Sequence, residues 1–278
     1  MPNFGYHFAR WRGNLIRALY RLFLSFTVRR PVRTRQNVPF AVFSYSSEEM
    51  LPEQVASIRS FLRHAGRPAK FTVVSDGSHS EKSLDLLRKI DPCIVATRLQ
   101  PGAAAVVDRY SSYLENHPTG RQLGLIMSLP REGDGPSLYI DADVLFFPGA
   151  REIGELAATD APALYLADCQ FSGDDRLLRT PAEKEQPVNT GVLFLKNRLD
   201  WSLSIARFRE LPGEPTFFTN QTMTHLTMHQ NGAKPFAAAK FVLQLDDQFE
   251  FGDRYASPSL ILRHYVNPVR HKFWTSSR

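Results

Sequence analysis

Cysteine is scarce in this sequence: the 278 residues include only two, Cys93 and Cys169. Two distant cysteines provide neither a disulfide framework nor the spacing of a cysteine metal site, which favours a reducing compartment. Internal repeats and low-complexity segments are also missing. The composition, 43% hydrophobic and 22% charged, is that of an ordinary globular protein rather than a disordered or fibrous one.

Acidic residues are absent from the first 36 residues, which carry eight arginines. The rest of the chain holds 26 basic and 28 acidic residues, so the formal charge of +6 comes entirely from this N-terminal arm. The body therefore lacks the basic patch of a nucleic-acid-binding protein, and no nucleic-acid partner is expected.

Long apolar runs are missing from the arm as well. At about 100° per residue, a helix would place six large apolar side chains on one side and three arginines opposite. The apolar residues are Phe8, Trp11, Leu15, Leu19, Leu22 and Phe26, and the arginines are Arg10, Arg17 and Arg21. The arginines interrupt the arm too often for a membrane span, and the cleavage site of a signal peptide is lacking.

A basic amphipathic helix over residues 8–26 has two interpretations. It is typical of an element that docks on an anionic membrane surface. The alternative is a helix packed on the protein's own body, with its arginines simply solvated. Residues 29–39 contain two prolines and no apolar periodicity, which predicts a linker. We therefore divide the chain into an arm, 1–36, and a single domain, 37–278.

The remainder alternates between strand and helix patterns. Predicted strands cover 40–47, 70–78, 93–99, 137–147, 161–168 and 188–196, and predicted helices cover 47–66, 80–90, 120–129 and 220–232. A loop is predicted at 130–136. This alternation predicts an α/β fold with a mixed, mostly parallel sheet flanked by helices.

Two aspartates lie in the otherwise apolar stretch "SLYIDADVLFF". In a strand, Asp141 and Asp143 would face the same side. Their hard oxygen ligands suit Mg²⁺ or Mn²⁺, which commonly bridges protein to a substrate's phosphates. Such an ion would neutralise charge on a diphosphate leaving group. The simpler alternative is a strand end with solvated aspartates.

Two further stretches carry polar groups that could join this pair. In "VNTGVLFLK", a strand is entered through Asn189, Thr190 and Gly191, which could contact sugar hydroxyls while glycine allows close backbone approach. In "LRHYVNPVRHKFW", His264 could bind a metal. The cations Arg270, His271 and Lys272 in the same stretch could contact phosphate.

In this order, "LYIDADVLF", "VNTGVLFLK", "NQTMTHL" and "HYVNPVRHKFW" resemble the retaining glycosyltransferases of family 8, over roughly residues 39–274. The resemblance implies a GT-A fold for the catalytic domain, 37–278, and a nucleotide-sugar donor bound with Mn²⁺. The sequence departs from the family at Asn220, where aspartate is common, and at Asn267, where glycine is usual. Two extra residues separate His264 from the lysine-tryptophan end of the stretch, so either Arg270 or Lys272 could take the phosphate role.

The resemblance also implies roles for individual residues. Asp141, Asp143 and His264 would bind the metal, and Gln221 would lie beneath the transferred sugar. The donor would contact Ser44, Tyr45, Arg121, Ala142, Arg270 and Lys272. Asn189, Thr190 and Gly191 would hold hydroxyls of the donor or of the acceptor. No carboxylate nucleophile is identifiable.

The expected activity is transfer of a sugar, with retention, from a UDP-sugar to a hydroxyl of a cell-envelope or lipid-linked glycan. The expected location is cytoplasmic, at the inner face of a membrane if the arm docks there. A nucleotidyltransferase could use the same aspartates, although no glycine-rich basic loop follows the first strand. A non-catalytic membrane adaptor with a degenerate transferase body is a further alternative.

Overall fold

The computed structural model describes residues 4–98, 109–131 and 133–276. Leu99, at the end of a predicted strand, and Glu132, in the predicted loop, lie outside these ranges. The strands are β1 (Asn37–Val38), β2 (Ala41–Ser46), β3 (Arg67–Pro68), β4 (Phe71–Ser75), β5 (Ile94–Arg98), β6 (Ser137–Asp141), β7 (Val144–Phe146), β8 (Ala163–Ala167), β9 (Val188–Leu195), β10 (Lys234–Pro235), β11 (Phe241–Val242) and β12 (Leu262–His264). The helices are α1 (Phe4–Leu22), α2 (Leu24–Arg29), α3 (Leu51–His64), α4 (Glu81–Arg88), α5 (Arg109–Asn116), α6 (Pro118–Met127), α7 (Ser202–Arg209), α8 (Thr219–Gln230) and α9 (Arg270–Ser276).

The main sheet has seven strands in the order β10-β8-β9-β6-β2-β4-β5. Only β9 runs against its neighbours, β6 and β8, whereas the other four pairs are parallel. The predicted fold class, a mixed and mostly parallel sheet with flanking helices, is therefore confirmed. The parallel strands arise because helices such as α3 and α4 return the chain to the same end of the sheet.

Helices cover both faces of this sheet, and the burial of β2 shows why. Consecutive residues of a strand point to opposite faces. Val42 accordingly joins one apolar cluster, which includes Val55 of α3. Phe43 joins a second cluster, which includes Leu123 of α6 and Met223 of α8. Strands buried on both faces become continuous apolar runs, which is the pattern seen in the sequence.

The stretch 137–147, predicted as one strand, forms two. The first, β6, ends at Asp141 in the main sheet, and β7 begins at Val144 in a second sheet with the order β11-β12-β7. There β12 pairs antiparallel to β7 and places His264 opposite Val144. The two aspartates therefore lie at the corner between the sheets.

The N-terminal arm folds against the body. The single predicted helix is two, α1 and α2, and the predicted linker contains β1, which pairs with β3. Helix α1 packs on α9 so closely that a Cβ on Gly13 would lie 2.3 Å from the carbonyl oxygen of His271. Arg17 anchors the helix through an ion pair of 2.5 Å with the buried Glu53. Among the described residues, none of the helices is both long enough and apolar enough for a membrane crossing.

Candidate metal and donor site

Four polar residues meet at one edge of the main sheet. Asp141 ends β6, and Asp168 directly follows β8, which runs in the same direction. Asn189 and Thr190 are the second and third residues of β9, whose opposite direction brings its start to the same edge. Ligand sites of open α/β sheets gather at such strand ends.

A group of three possible metal ligands lies here. One ligand atom from each of Asp141, Asp143 and His264 falls within 4.8 Å of the other two. The Nε2 atom of His264 is 3.1 Å from an oxygen of Asp143 and 3.6 Å from an oxygen of Asp141. His264 and Asp143 are buried, whereas the side chain of Asp141 is 25% exposed. The group therefore opens to solvent on the side of Asp141.

A hydrogen bond to Asn189 determines which nitrogen of the neutral His264 ring carries the proton. The backbone N–H of Gly191 donates to Oδ1 of Asn189 at 2.9 Å, so this atom is an acceptor. The Nδ1 atom of His264, 3.0 Å from the same oxygen, must therefore donate to it. The unshared electron pair of the neutral ring then lies on Nε2, facing two carboxylates. This arrangement requires a cation at Nε2, either a proton or a metal ion.

The surroundings of the two aspartates shift their pKa values in opposite directions. Burial raises the pKa of Asp141, and Asp143 raises it further against the attraction of His264. Burial also acts on Asp143, but His264 and Arg270 outweigh it and lower its pKa to about 2. Arg270 donates to this carboxylate at 2.7 and 3.2 Å. Although burial lowers the pKa of His264, the two aspartates raise it above its ordinary value. These shifts favour a positive charge among the three side chains.

Hydrogen bonds from a hydroxyl and a chain of two side-chain amides orient Asp141. Its Oδ1 accepts hydrogen bonds from the hydroxyl of Tyr139 at 2.9 Å and from Nε2 of Gln122 at 3.0 Å. The side chain of Asn220 donates in turn to Gln122 at 3.1 Å. This leaves Oδ2 of Asp141 directed towards His264. Sequence reasoning missed Gln122 because a glutamine in a helix carries no signal of a partner on a distant strand.

The three possible metal ligands, Asp141, Asp143 and His264, form one wall of a cleft of about 360 Å³. Gln221 lines another wall, where its Nε2 donates to the carbonyl of Ser172 at 2.7 Å and to Asp168 at 3.3 Å. With its nitrogen engaged, the oxygen Oε1 is the end of this amide left for a ligand. The exposed Phe217 and Phe218 contribute apolar surface to the cleft. Asp168, which directly follows β8, also lines the cleft.

Seven of the residues expected at the site line this cleft, namely Asp141, Asp143, Asn189, Thr190, Gln221, His264 and Arg270. Six others do not line it, namely Ser44, Tyr45, Arg121, Ala142, Gly191 and Lys272. Ser44 points into the protein, where its hydroxyl bonds to Gln54 at 2.8 Å. Tyr45 is half-buried, and burial raises its pKa to about 12. Arg121 donates to the carbonyl of Asp76 at 2.8 Å, at the end of β4.

Gly191 has a structural neighbour that the sequence did not reveal. A Cβ at this position would lie 2.1 Å from Cε1 of His264. The missing side chain therefore makes room for the imidazole ring. The glycine was expected to let a sugar approach the backbone, but its close neighbour is the histidine.

Arg270 and Lys272 have separate environments. The ammonium of Lys272 is buried and donates to Asp247 at 3.1 Å. Asp247 also accepts from the buried Arg263 at 2.7 and 3.0 Å. Residues two apart on a helix project about 200° apart, so Arg270 can face the cleft while Lys272 faces this ion-pair cluster. Of the three residues considered for phosphate, Arg270 lines the cleft, whereas His271 and Lys272 do not.

No protein-family model matches the chain, and no curated protein sequence matches it. Solved structures do match. The galactosyltransferase LgtC, in a crystal structure with donor and acceptor sugar analogs, aligns with a TM-score of 0.55 at 13% identity, over 85% of this chain and 95% of that chain. Mouse xyloside xylosyltransferase 1, in its apo form, aligns with a TM-score of 0.53 at 10% identity, over 84% of this chain and 99% of that chain.

A third match is the glycosyltransferase GlyE of Streptococcus pneumoniae TIGR4. It aligns with a TM-score of 0.51 at 14% identity, over 87% of this chain and 60% of that chain. Identities this low define a shared fold. The chain has the GT-A fold, and its resemblance to the family 8 glycosyltransferases is confirmed at the level of that fold.

Proposed function

We propose that this protein is a metal-dependent glycosyltransferase that moves a sugar from a nucleotide diphosphate sugar, with UDP as the nucleotide, to an acceptor hydroxyl. The observation that carries the proposal is the convergence of Asp141, Asp143 and His264 with Arg270 in one cleft of a GT-A fold. A metal and an arginine side by side form a site for a diphosphate. The glycosyltransferases with similar structures support the same class.

The donor set fits a divalent metal ion. Asp141 and Asp143 supply hard oxygen atoms, and the Asn189 contact leaves Nε2 of His264 free to coordinate. We propose Mn²⁺ as the preferred ion, with Mg²⁺ as a substitute, because imidazole is a poorer ligand for Mg²⁺. When bound, the ion supplies Lewis-acid stabilisation of the departing diphosphate.

Arg270 would share that task. Its side chain is 38% exposed and lies in the cleft, while its guanidinium pairs with Asp143. A cation that borders the leaving group stabilises the charge that develops as the glycosidic bond breaks. Lys272 is not a candidate for this role, because its ammonium is buried and donates a hydrogen bond to Asp247.

Gln221 would act on the sugar itself. Its nitrogen is engaged with Ser172 and Asp168, so the partial negative charge of Oε1 is available to an oxocarbenium-like sugar. We propose transfer with retention, on the basis of the family resemblance. One structural match, an active-site mutant of LgtC, has glutamate in place of a glutamine, so in that protein a glutamine belongs to the active site. Attack by the acceptor hydroxyl on the face that the diphosphate leaves would give retention.

The acceptor would enter along the apolar side of the cleft, which Phe217, Leu243 and Leu245 line. Aromatic and apolar walls are common in sites that hold the faces of sugar rings. We propose a cell-envelope or lipid-linked glycan as the acceptor. The arginine-rich arm supports this choice, since it would hold the enzyme at the cytoplasmic face of an anionic membrane.

Calorimetry of UDP binding, with and without Mn²⁺, tests the proposal. The wild-type protein should bind UDP only in the presence of Mn²⁺, and Asp143→Asn should abolish this metal-dependent binding. Asp200→Asn, which alters an exposed carboxylate outside the cleft, is the matched control and should bind as the wild type does. Thermal unfolding of each variant shows that lost binding is not lost folding.

A screen of UDP-sugars for metal-dependent hydrolysis then identifies the donor. Release of pyrophosphate from a nucleoside triphosphate and a sugar phosphate would replace the proposal with a nucleotidyltransferase. Folded protein that binds no nucleotide in the presence of Mn²⁺ would instead favour the non-catalytic adaptor.

A further inference from the structure

The apolar side of the N-terminal helices faces outward. We call this surface the apolar stripe, and its members are Phe4, Phe8, Trp11, Leu15, Leu19, Leu22, Phe23 and Phe26. Each is exposed, with Trp11 at 57% and Leu22 at 74% of its surface accessible. An apolar face of this length on the outside of a folded protein indicates a binding surface.

The body contacts a different side of these helices. The small residues Ala9 and Gly13 of α1 are buried, as are Leu24 and Val28 of α2. Arg17 pairs with buried Glu53 beside this contact. The helices are therefore fixed in place by one side while the stripe remains exposed on another.

A loop of the body extends the stripe. Phe251 stacks on Phe8 with the ring centroids 5.7 Å apart, and Phe249 meets Tyr6 edge-on at 5.2 Å. Both phenylalanines are themselves exposed. The two segments are far apart in sequence, so their juxtaposition shows that the tertiary fold builds this apolar surface.

Two adjoining cavities at the other end of the helices are rich in arginine. They measure about 360 and 690 Å³ and share Arg63, His64 and Pro148. We call them together the arginine groove, and its basic residues are Arg30, Arg33, Arg35, Arg59, Arg63, His64 and Arg151. No carboxylate lines either cavity among residues 4–98, 109–131 and 133–276. Such a concentration of unbalanced positive charge is suited to an anionic ligand.

Arg30 joins the groove to the stripe. Its guanidinium lies 4.2 Å over the ring of Phe26, a member of the stripe, and the same residue lines the groove. Apolar and cationic surfaces thus meet at one residue. A membrane interface has a matching arrangement, because its acyl chains lie next to its phosphate headgroups.

We propose that the apolar stripe and the arginine groove form one docking face for an anionic lipid bilayer, with the stripe in the acyl boundary and phosphate headgroups in the groove. A second copy of the chain that docked through the same face would bring no carboxylate to the arginines, because neither the stripe nor the groove contains one. An anionic bilayer satisfies both surfaces at once.

The docking face is close to the cleft in space. Helix α1 packs on α9, and α9 begins with Arg270, which contacts Asp143. A bilayer held by α1 would therefore lie one helix away from the donor site. The inference that the acceptor is carried by a lipid rests on the proposed function, whereas the docking itself does not.

Intrinsic fluorescence tests the stripe directly. Of the three tryptophans, Trp201 and Trp274 are buried and Trp11 is exposed. On vesicles of phosphatidylcholine with one-third phosphatidylglycerol, the emission should shift to the blue and be quenched by lipids brominated on their acyl chains. Trp11→Phe keeps the stripe apolar, so it should still sediment with vesicles but lose the quenching. Wild-type protein that sediments equally with neutral vesicles, or with none, would overturn the proposal.

A charge-reversal pair tests the groove. Arg63→Glu with Arg151→Glu should weaken binding to anionic vesicles more than about tenfold, since each arginine near an anionic surface accounts for about fivefold. Arg198→Glu with Lys234→Glu, exposed residues outside the docking face, makes the same charge change and should alter binding by less than about twofold. An equal loss of vesicle binding in both double variants would show that only net charge matters. It would refute the proposal that the groove binds phosphate headgroups.

Two measurements separate this inference from the proposed function. Thermal unfolding shows whether each variant folds, and UDP binding with Mn²⁺ is measured without lipid. Vesicle binding that fails while UDP binding persists overturns the docking face alone. A lipid-free dimer in sedimentation equilibrium, with Trp11 shielded from acrylamide, would assign the face to a second copy instead.

Discussion

Replacing Gly191 by alanine tests how the candidate metal site is built. The new Cβ would lie 2.1 Å from Cε1 and 2.6 Å from Nδ1 of His264, and 2.9 Å from Oδ1 of Asn189. Carbon atoms in contact lie about 3.5–4.0 Å apart. The imidazole would therefore have to move by more than about 1 Å, and Asn189 holds it in place.

A movement of that size exceeds what metal coordination tolerates. Ligand distances in metal sites hold to within about 0.2 Å. We expect Gly191→Ala to weaken Mn²⁺ binding by at least about 10- to 100-fold, the usual cost of disturbing a ligand's support. Overpacking should also lower the free energy of unfolding by about 1–3 kcal/mol.

The assay is a titration of Mn²⁺ followed by electron paramagnetic resonance, with urea unfolding alongside. Gly124→Ala is the matched control, because a Cβ there meets nothing within 4 Å. Gly124 lies inside helix α6, so its alanine variant should bind Mn²⁺ normally and be as stable as the wild type or up to about 1 kcal/mol more stable.

The outcome distinguishes two roles for Gly191. Wild-type Mn²⁺ affinity in Gly191→Ala would refute the reasoning that the glycine makes room for His264. If metal and UDP bound normally while only UDP-sugar binding weakened, the glycine would instead serve the close approach of a sugar, as the sequence first indicated.

Further predictions concern cations, acid and the apolar wall. Arg270→Gln should reduce transfer about 100-fold, because it removes a charge at the leaving group, and it should also lower the melting temperature, because buried Asp143 loses a partner; unchanged turnover would contradict the role at the leaving group. Lys272→Met should lower the free energy of unfolding by about 1–3 kcal/mol, since it removes a partner of buried Asp247, and urea unfolding measures it. Although burial raises the pKa of Asp247, Arg263 and Lys272 outweigh it and lower the pKa, so this pairing stabilises the fold above an unfolded pKa of about 3.9 and is lost as pH falls through the lowered value. A pH series of urea unfolding should show a shallower acid decline in Lys272→Met than in wild type. Phe217→Ala should raise the KM for acceptor while leaving donor hydrolysis within about twofold, and an equal effect on both would place this residue at the donor instead.

The stretch 137–147 shows what a sequence pattern can establish. Its apolar residues predicted a buried strand, and its aspartates predicted ligands at a strand end. Both features depend on residue type and local spacing. The break between β6 and β7 does not, because β7 leaves the main sheet to pair with β12, a partner more than a hundred positions along the chain.

The N-terminal arm shows the opposite case. Its periodicity correctly indicated helix, with apolar residues on one side. An apolar side normally faces the protein's own core, so a helix packed on the body would have been expected to bury it. Instead, Gly13 and Ala9 form the contact with the body, because their small size lets α1 approach α9 closely.

The sequence by itself determined the alternation of strands and helices, the chemical types of the candidate metal ligands and the charge of the arm, since these depend on composition and short-range periodicity. Only the tertiary structure decided which distant residues meet. The pairing of β12 with β7 brings His264 to Asp143 across 121 positions. The direction of each side chain on α9 sends Arg270 to the cleft and Lys272 to Asp247. These choices depend on the three-dimensional path of the backbone, which no local pattern encodes.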